Sequence, residues 1–478
     1  MKNSFCAAAL ALLFVPALLP AADRLDEATR DLSKDIFKQL IEINTTDSVG
    51  NNTAAAQAMR KRLLDAGFAP EDAVVLGPSD RKGNLVARLR GAQSGARKPI
   101  LIICHLDVVE ARREDWTTDP FQFVEKEGYV YGRGTQDMKD SDAILVTTFI
   151  RLKLEGYKPD RDVILALTSD EEGGTANGVD WLLKNHHEVV DADFVLNPDS
   201  GGVNTDRGKA LDVEFEATEK LYADFELTSR NPGGHSSLPT PDNAIYHLAD
   251  ALGRLEHSPF PFELNAVTRA YFERMASIEK GRTAEDMRAI LRTPPDPEAI
   301  ARLSADARFN STMRTTCVAT RLSGGHANNA LPQTAQAVVN CRILPGHSPE
   351  EVRQDLIRIL ADPKVTIGFI DPATDKVSDQ APDKKALPPP PLRPDVLKPF
   401  EKIAAEMWPG APVVPDMETG ASDSIYTMAA GLPSYGISGV AVDRDDLRMH
   451  GKDERLRLSS YYDGVEFYYL YLKALTAP

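Results

Sequence analysis

Apolar residues along this chain fall into short unbroken runs, separated by longer segments of helical spacing. Four runs, residues 100–104, 163–167, 194–196 and 434–437, are too short for helices and predict strands buried on both faces. Between the first two, residues 143–154 place apolar positions at helical intervals and stop at Gly156. Residues 32–109 read as helix, helix, strand, strand. In the second helix Thr53 stands before the Ala-rich stretch 54–66, and Gly67 follows it as a stop. Strand alternating with helix predicts an α/β fold, a mainly parallel sheet flanked by helices.

The pattern changes between about residues 220 and 370. Stretches 222–227 and 337–343 alternate apolar and polar side chains and flank helical segments, which predicts an inserted α+β module with an antiparallel sheet. Within it, residues 259–309 form a charged, mostly helical insertion. The tetraproline 388–391 reads as a stiff connection back to the first layer. The expected division is therefore a leader at 1–22, a first part of the α/β domain at 23–217, the inserted module at 218–371, and a second part at 372–478.

A chain of 478 residues with 42% apolar and 26% charged residues has ample material for more than one core. Its net charge of −16 argues against nucleic acid and against anionic lipid surfaces, both of which want a basic face. The start combines Lys2, an apolar run over 5–22 and small residues Ala21-Ala22 before Asp23, the parts of a cleaved signal peptide. Export to the periplasm or the extracellular space follows, with no stable membrane insertion after cleavage. An uncleaved anchor is disfavoured by Pro16 and Pro20. Cleavage leaves Cys104, Cys317 and Cys341. That number is odd, so no full disulfide framework is expected, and no Cys-x-x-Cys pair offers a thiolate zinc site.

The chemistry gathers where the apolar runs end. The first ends in His105-Leu106-Asp107, the second in Asp170-Glu171-Glu172-Gly173-Gly174, the third in Asn197-Pro198-Asp199. Parallel sheets carry ligands beyond the carboxyl ends of their strands, so three strand ends deliver imidazole and carboxylates to one rim. The turn Gly132 to Asp137 and the late His450 extend the set. Mixed nitrogen and oxygen donors suit zinc, with cobalt or manganese as substitutes, and a divalent cation relieves the repulsion among carboxylates. There is no His-Glu-x-x-His, phosphate-binding P-loop or dinucleotide loop, and Gly420-Ala421-Ser422-Asp423-Ser424 lacks the closing glycine of a nucleophile elbow.

These motifs, in this order, resemble the M20 metallopeptidases, which include carboxypeptidases, dipeptidases, aminoacylases and succinyl-diaminopimelate desuccinylase. The resemblance rests on His105-Leu106-Asp107-Val108-Val109, residues 116–121, Tyr131-Gly132-Arg133-Gly134 with Asp137-Met138-Lys139, residues 169–173, Gly233-Gly234-His235-Ser236-Ser237 and Asn329-Ala330-Leu331-Pro332. The Gly-Gly-His-Ser-Ser motif and the large insertion look most like the carboxypeptidase S branch. The resemblance implies a zinc-exopeptidase-like catalytic domain with a lid and dimerisation domain, and two divalent metal ions. His105 and Asp199 would hold one ion, Glu172 and His450 the other, with Asp137 bridging. Asp107 would orient the His105 imidazole, and Glu171 would be the general base in amide hydrolysis.

His235, Asn329 and Arg342 match substrate contacts of the family, His235 often reaching across a dimer interface. Gly420 and Ser422 match a further substrate loop. The implied activity is a secreted exopeptidase, with an N-acyl amino acid amidohydrolase as the alternative and a non-catalytic binding protein as a remote one. His186, His187 and His326 match no ligand position. Glu110 stands where many relatives have Pro, and Asp199 where several have the longer Glu.

Overall fold

In the computed structural model, residues 25–93, 95, 97–372, 374–385 and 388–477 are described. The leader expected at 1–22 and the start near Asp23 lie outside them. The strands form two principal sheets, one of ten strands and one of five.

The middle of the large sheet is parallel. Ile100–His105 lies between Val163–Thr168 and Phe194–Asn197, and Ser434–Gly436 follows parallel to the last of these. Antiparallel strands Ala73–Leu76 and Asn84–Leu89 close one edge. Beyond Ser434–Gly436 come Lys209–Glu219, Gly202–Asp206 and Ala441–Asp443, and Val413–Glu418 also pairs with Lys209–Glu219. The two-residue period of a strand explains why the central runs are apolar throughout. Ile100, Ile102 and Cys104 face one core layer with helices Glu27–Ile41, Lys139–Leu154 and Leu458–Leu475. Leu101 and Ile103 face the other, with helix Gly178–Asn185.

Two helix starts differ from the sequence reading. The second helix spans Asn52–Asp65, and its cap is Asn51, whose side chain accepts from the Ala54 amide, so Thr53 lies inside it. The long central helix begins at Lys139, because Lys139, Asp140, Ser141 and Asp142 are buried although polar. That buried polar turn interrupts the apolar periodicity that marked the start at residue 143.

The small sheet is antiparallel, in the order Thr316–Gly324, Thr334–Ile343, Leu221–Arg230, Val365–Ile370, Val377–Ser378. Burial along Thr334–Ile343 alternates strictly, and the buried side chains pack under helices Ala244–Glu256 and Pro349–Leu360. Only Lys220 separates Lys209–Glu219 of the large sheet from Leu221–Arg230 of the small one. Its buried ammonium donates to the Arg314 carbonyl at 2.8 Å, and burial lowers its pKa to about 7.

The helical insertion, expected to belong with the small sheet, instead packs on the large one. Its apolar side, Tyr271, Phe272, Met275 and Met287, closes over Val414 of the strand Val413–Glu418. Among the described residues no helix is long and apolar enough to cross a membrane.

Cys317 and Cys341 stand opposite each other on neighbouring strands and are disulfide-bonded, while Cys104 is a buried free thiol. The link closes a loop with a sequence separation of 24 residues. Replacing both cysteines by Ser should lower stability by about 2–4 kcal/mol. Urea unfolding under oxidising conditions tests this, and an unchanged midpoint would show that the link constrains nothing.

Candidate metal centre

The strand Ile100–His105 ends on a buried imidazole. His105 Nδ1 lies 3.0 Å from the Asp107 carbonyl oxygen, so that nitrogen carries the hydrogen and Nε2 is left facing the rim. Nε2 is 3.1 Å from Asp137 Oδ1 and 3.7 Å from Asp199 Oδ1. His105 Nε2 and Asp137 Oδ1 are both buried, yet neither has a hydrogen-bond partner. Two polar atoms so close and so poorly aligned suit a shared cation better than a hydrogen bond.

Asp137 turns its other oxygen the opposite way. Its Oδ2 is 3.1 Å from His450 Nε2, which is 2.9 Å from Glu172 Oε1. Two candidate ligand groups result, His105 with Asp137 and Asp199, and Asp137 with Glu172 and His450, the ligand atoms in each lying within 4.8 Å of one another. Asp137 belongs to both. Imidazole and carboxylate are the donors expected for zinc or a similar divalent ion, so the residues present fit such a pair.

The loop after Val163–Thr168 separates Glu171 from Glu172. Asp170 adopts a left-handed φ of 60°, which turns the chain sharply, and Lys82 pairs with its carboxylate. Gly174 has a φ of 114°, which favours glycine, and a Cβ there would also meet the Asp170 carboxylate. Asp107 meets the His105 ring through its backbone carbonyl and not through its side chain. Its carboxylate is 3.8 Å from His105 Nδ1 and instead accepts from the backbone N–H groups of Glu171 at 3.1 Å and Glu172 at 2.9 Å. The ring is therefore held by the Asp107 backbone, and the side chain fixes the acidic loop.

Several supports were not visible from the motifs. Glu454 accepts from the backbone N–H groups of Gly134, Gln136 and Asp137 and from Arg133 at 2.6 Å, which locks the turn carrying Asp137. Asp423 accepts from Asn177 at 2.6 Å and from Thr168 at 3.3 Å beside the same rim. Nothing in their local sequence distinguishes Glu454 or Asp423 from solvated loop carboxylates. Glu110 accepts from the amide and hydroxyl of Ser48 at 3.0 and 2.9 Å.

Electrostatics follow from crowding and burial. Burial raises Asp107 and Glu454 to about 7 and Asp423 to about 6. Burial also pushes Glu171 well above the usual carboxylate range, and the charges of Asp199 and Asp423 add to the push. For Asp137 burial acts in the same sense, but its two imidazole neighbours outweigh it and lower its pKa. Contacts with Asp137 and Glu172 raise His450 to about 10.

The remaining candidates lie elsewhere. His235 and Asn329 are exposed neighbours on the small-sheet module, the Ser236 amide donating to the Asn329 carbonyl at 3.1 Å. His235 Nδ1 accepts from the Ser237 amide at 3.2 Å, which leaves Nε2 as the donor of the neutral ring. Arg342 is at the opposite end of its strand, paired with Tyr222 and 4.7 Å from that ring. Thr334 is the other end of the strand, so roughly 26 Å separates the two groups along it at about 3.3 Å per residue. Among the described residues no contact joins His235 or Asn329 to the metal-ligand groups. The Gly420 amide donates to Glu418 at 2.7 Å, and the buried Ser422 hydroxyl donates to Glu219 at 2.8 Å. His186 packs against Trp181, away from the rim.

Known proteins agree with this architecture. The description Peptidase family M20/M25/M40 matches residues 101–474. A probable carboxypeptidase S-like 2 protein of Dictyostelium discoideum is 29% identical over 392 residues, covering 79% of this chain and 71% of that protein. An N-fatty-acyl-amino acid synthase/hydrolase of Homo sapiens is 30% identical over 379 residues, 77% of this chain and 72% of the relative. An M20 family metallo-carboxypeptidase from Sulfolobus solfataricus superposes with a TM-score of 0.67 at 16% identity, over 95% of this chain and 100% of that one. The family match begins inside the strand that ends on His105 and runs past His450 into the last helix, so the chain belongs to Peptidase family M20/M25/M40, a family of metal-dependent hydrolases.

Proposed function

We propose that this chain is an exported exopeptidase that cleaves the amide bond of a peptide with a free carboxyl end, using two divalent ions, zinc foremost. One observation carries the reading. A single carboxylate, Asp137, faces a His-carboxylate group with each of its oxygens, and Glu171 stands next to Glu172 in the loop, its charge felt at His105. In the proposed assignment His105 and Asp199 would hold one ion, Glu172 and His450 the other, and Asp137 would serve both. The chemistry that bound ions would supply there is polarisation of the scissile carbonyl and acidification of a water.

The chain's own groups supply the rest. Glu171 accepts the water proton on its carboxylate and delivers it to the departing nitrogen. The Asp107 carboxylate keeps Glu171 and Glu172 pointing apart by gripping both amides. Arg342 offers a planar, bidentate partner for the substrate's terminal carboxylate. His235, with Nε2–H free, donates to the developing oxyanion. In this reading the chain is a homodimer in which the exposed His235 and Asn329 serve the neighbouring subunit's centre. The human relative named for N-fatty-acyl-amino acids favours a second reading, an N-acyl amino acid amidohydrolase with the same machinery. The Cys317–Cys341 bond supports an oxidising compartment, as export predicts.

Glu171→Gln should bind both metal equivalents yet lose about 10²–10⁴ in kcat on dipeptides or N-acyl amino acids. Near-normal turnover would remove Glu171 from the proton path. Asp107→Asn, which can present only one acceptor oxygen to two amides, should lower kcat or metal affinity about 10–100-fold. Unchanged values for both would leave the Asp107 grip without consequence.

Chelation should abolish cleavage, and zinc, cobalt or manganese should restore it. It should also change the response to pH. Asp107, Asp423, Glu454 and His450 all have raised folded pKa values, so in the stripped protein their stabilising contribution is present at low pH and lost as pH rises through those values. Of these only His450 would hold metal in place of its proton, so from about pH 6.5 to 10 the thermal midpoint of the stripped protein should fall relative to that of the metal-loaded protein. Parallel profiles with and without metal would contradict the assignment.

A further inference from the structure

A cavity of about 410 Å³ adjoins the metal centre, with Asp199 in its wall. Strands Lys209–Glu219 and Val413–Glu418 run parallel along one side. Val213, Phe215 and Ala217 face the core, so the two-residue period turns Glu214 and Glu216 into the cavity. Asp416 and Glu418 reach it from the next strand by the same alternation, and the helical insertion contributes Arg308 and Thr312.

Four carboxylates from the two strands, with Asp199 and Asp140 beside them, thus meet one guanidinium, and that guanidinium is engaged. Arg308 pairs with Glu214 and sits 5.9 Å from the Tyr271 ring. Among the described residues no cation pairs with Glu216, Asp416 or Glu418. Glu216 is only 3% exposed, and its Oε2 makes no well-formed hydrogen bond; the Ser200 hydroxyl beside it is the polar group that acts on it. Burial pushes Glu216 and Asp416 well above the usual range, and nearby carboxylates push further. A buried acceptor left open in this way is costly unless something fills the space.

A single metal ion does not match the layout. Among the described residues, the groups of three or more donors close enough to share an ion are the two at the metal centre. Here the carboxylates are strung along a wall, which suits an extended cation with several N–H donors.

We propose that this cavity is a specificity pocket for a basic side chain, the ammonium of Lys or the guanidinium of Arg, on the substrate cleaved at the adjoining centre. Glu216 is the principal acceptor, and Asp416 and Glu418 supply the surrounding negative charge. This rests on the hydrolase reading above and adds the substrate class to it.

The test uses the metal-loaded protein and three matched pairs: Ala-Lys with Ala-norleucine, Lys-Ala with norleucine-Ala, and N-acetyl-Lys with N-acetyl-norleucine. In at least one pair the basic member should be preferred about tenfold or more in kcat/KM, the scale of one charge-assisted hydrogen bond. Glu216→Gln and, separately, Asp416→Asn should collapse that preference to within about threefold, acting mainly through KM. Thermal midpoints near wild type would show that both variants are folded. No preference in any pair, or a preference that both folded variants retain, overturns the pocket. If no substrate is cleaved, the hydrolase reading falls separately, and the same pairs are titrated into the wild-type protein by calorimetry. Tighter binding of a Lys member that Glu216→Gln abolishes keeps the pocket, whereas equal affinities overturn it.

Discussion

Like charges resist being buried together, and the rim of the large sheet crowds Asp107, Asp137, Glu171, Glu172, Asp199 and Asp423 around one buried imidazole. The surrounding chain deals with this crowding selectively. Asp107 is satisfied by two backbone amides, Asp423 by Asn177 and Thr168, Asp170 by Lys82, and Glu454 by Arg133. Among the described residues, the side chains of Asp137, Asp199 and Glu172 are left facing imidazole nitrogens across the centre. The division between carboxylates that the protein satisfies and those it leaves facing histidine is what separates scaffold from ligand here.

Much of the centre was legible because of how parallel sheets are built. Each buried run had to end at the same rim, so the residues after it, His105, Glu171, Glu172 and Asp199, could be grouped before any contact was known. Glu454 and Asp423 escaped that logic. They come from the far end of the chain, and only tertiary packing brings them to the turn and the rim they support. Sequence spacing places Asp107 beside the His105 ring but does not tell its carbonyl, which meets the ring, from its carboxylate, which grips the acidic loop. The start of the central helix was obscured by its own first turn, where Lys139 is buried with its ammonium on the carbonyls of Leu40 and Ile43.

The small-sheet module was legible as a pattern and not as a set of contacts. Alternation in the strand that became Thr334–Ile343 gave the sheet, but the opposition of Cys317 and Cys341 depends on register, which the sequence does not encode locally. The helical insertion lies between strands of the small sheet in sequence, yet its apolar side suited the edge of the large one. That placement brings Arg308 to the wall shared with Glu214, where no local signal would have put it.

The large sheet is made of two lengths of chain, one before the small-sheet module and one after it. His105, Asp137, Glu172 and Asp199 belong to the first length, and His450 and Glu454 to the second. Such contacts span hundreds of positions and form late, after the intervening module has been made. A ribosome that has released everything up to the tetraproline has therefore made four of the five candidate ligands and no complete centre. A chain truncated anywhere upstream of His450 keeps the donors of the group His105, Asp137 and Asp199 and lacks a donor of the other, so the paired centre depends on a segment made after the intervening module.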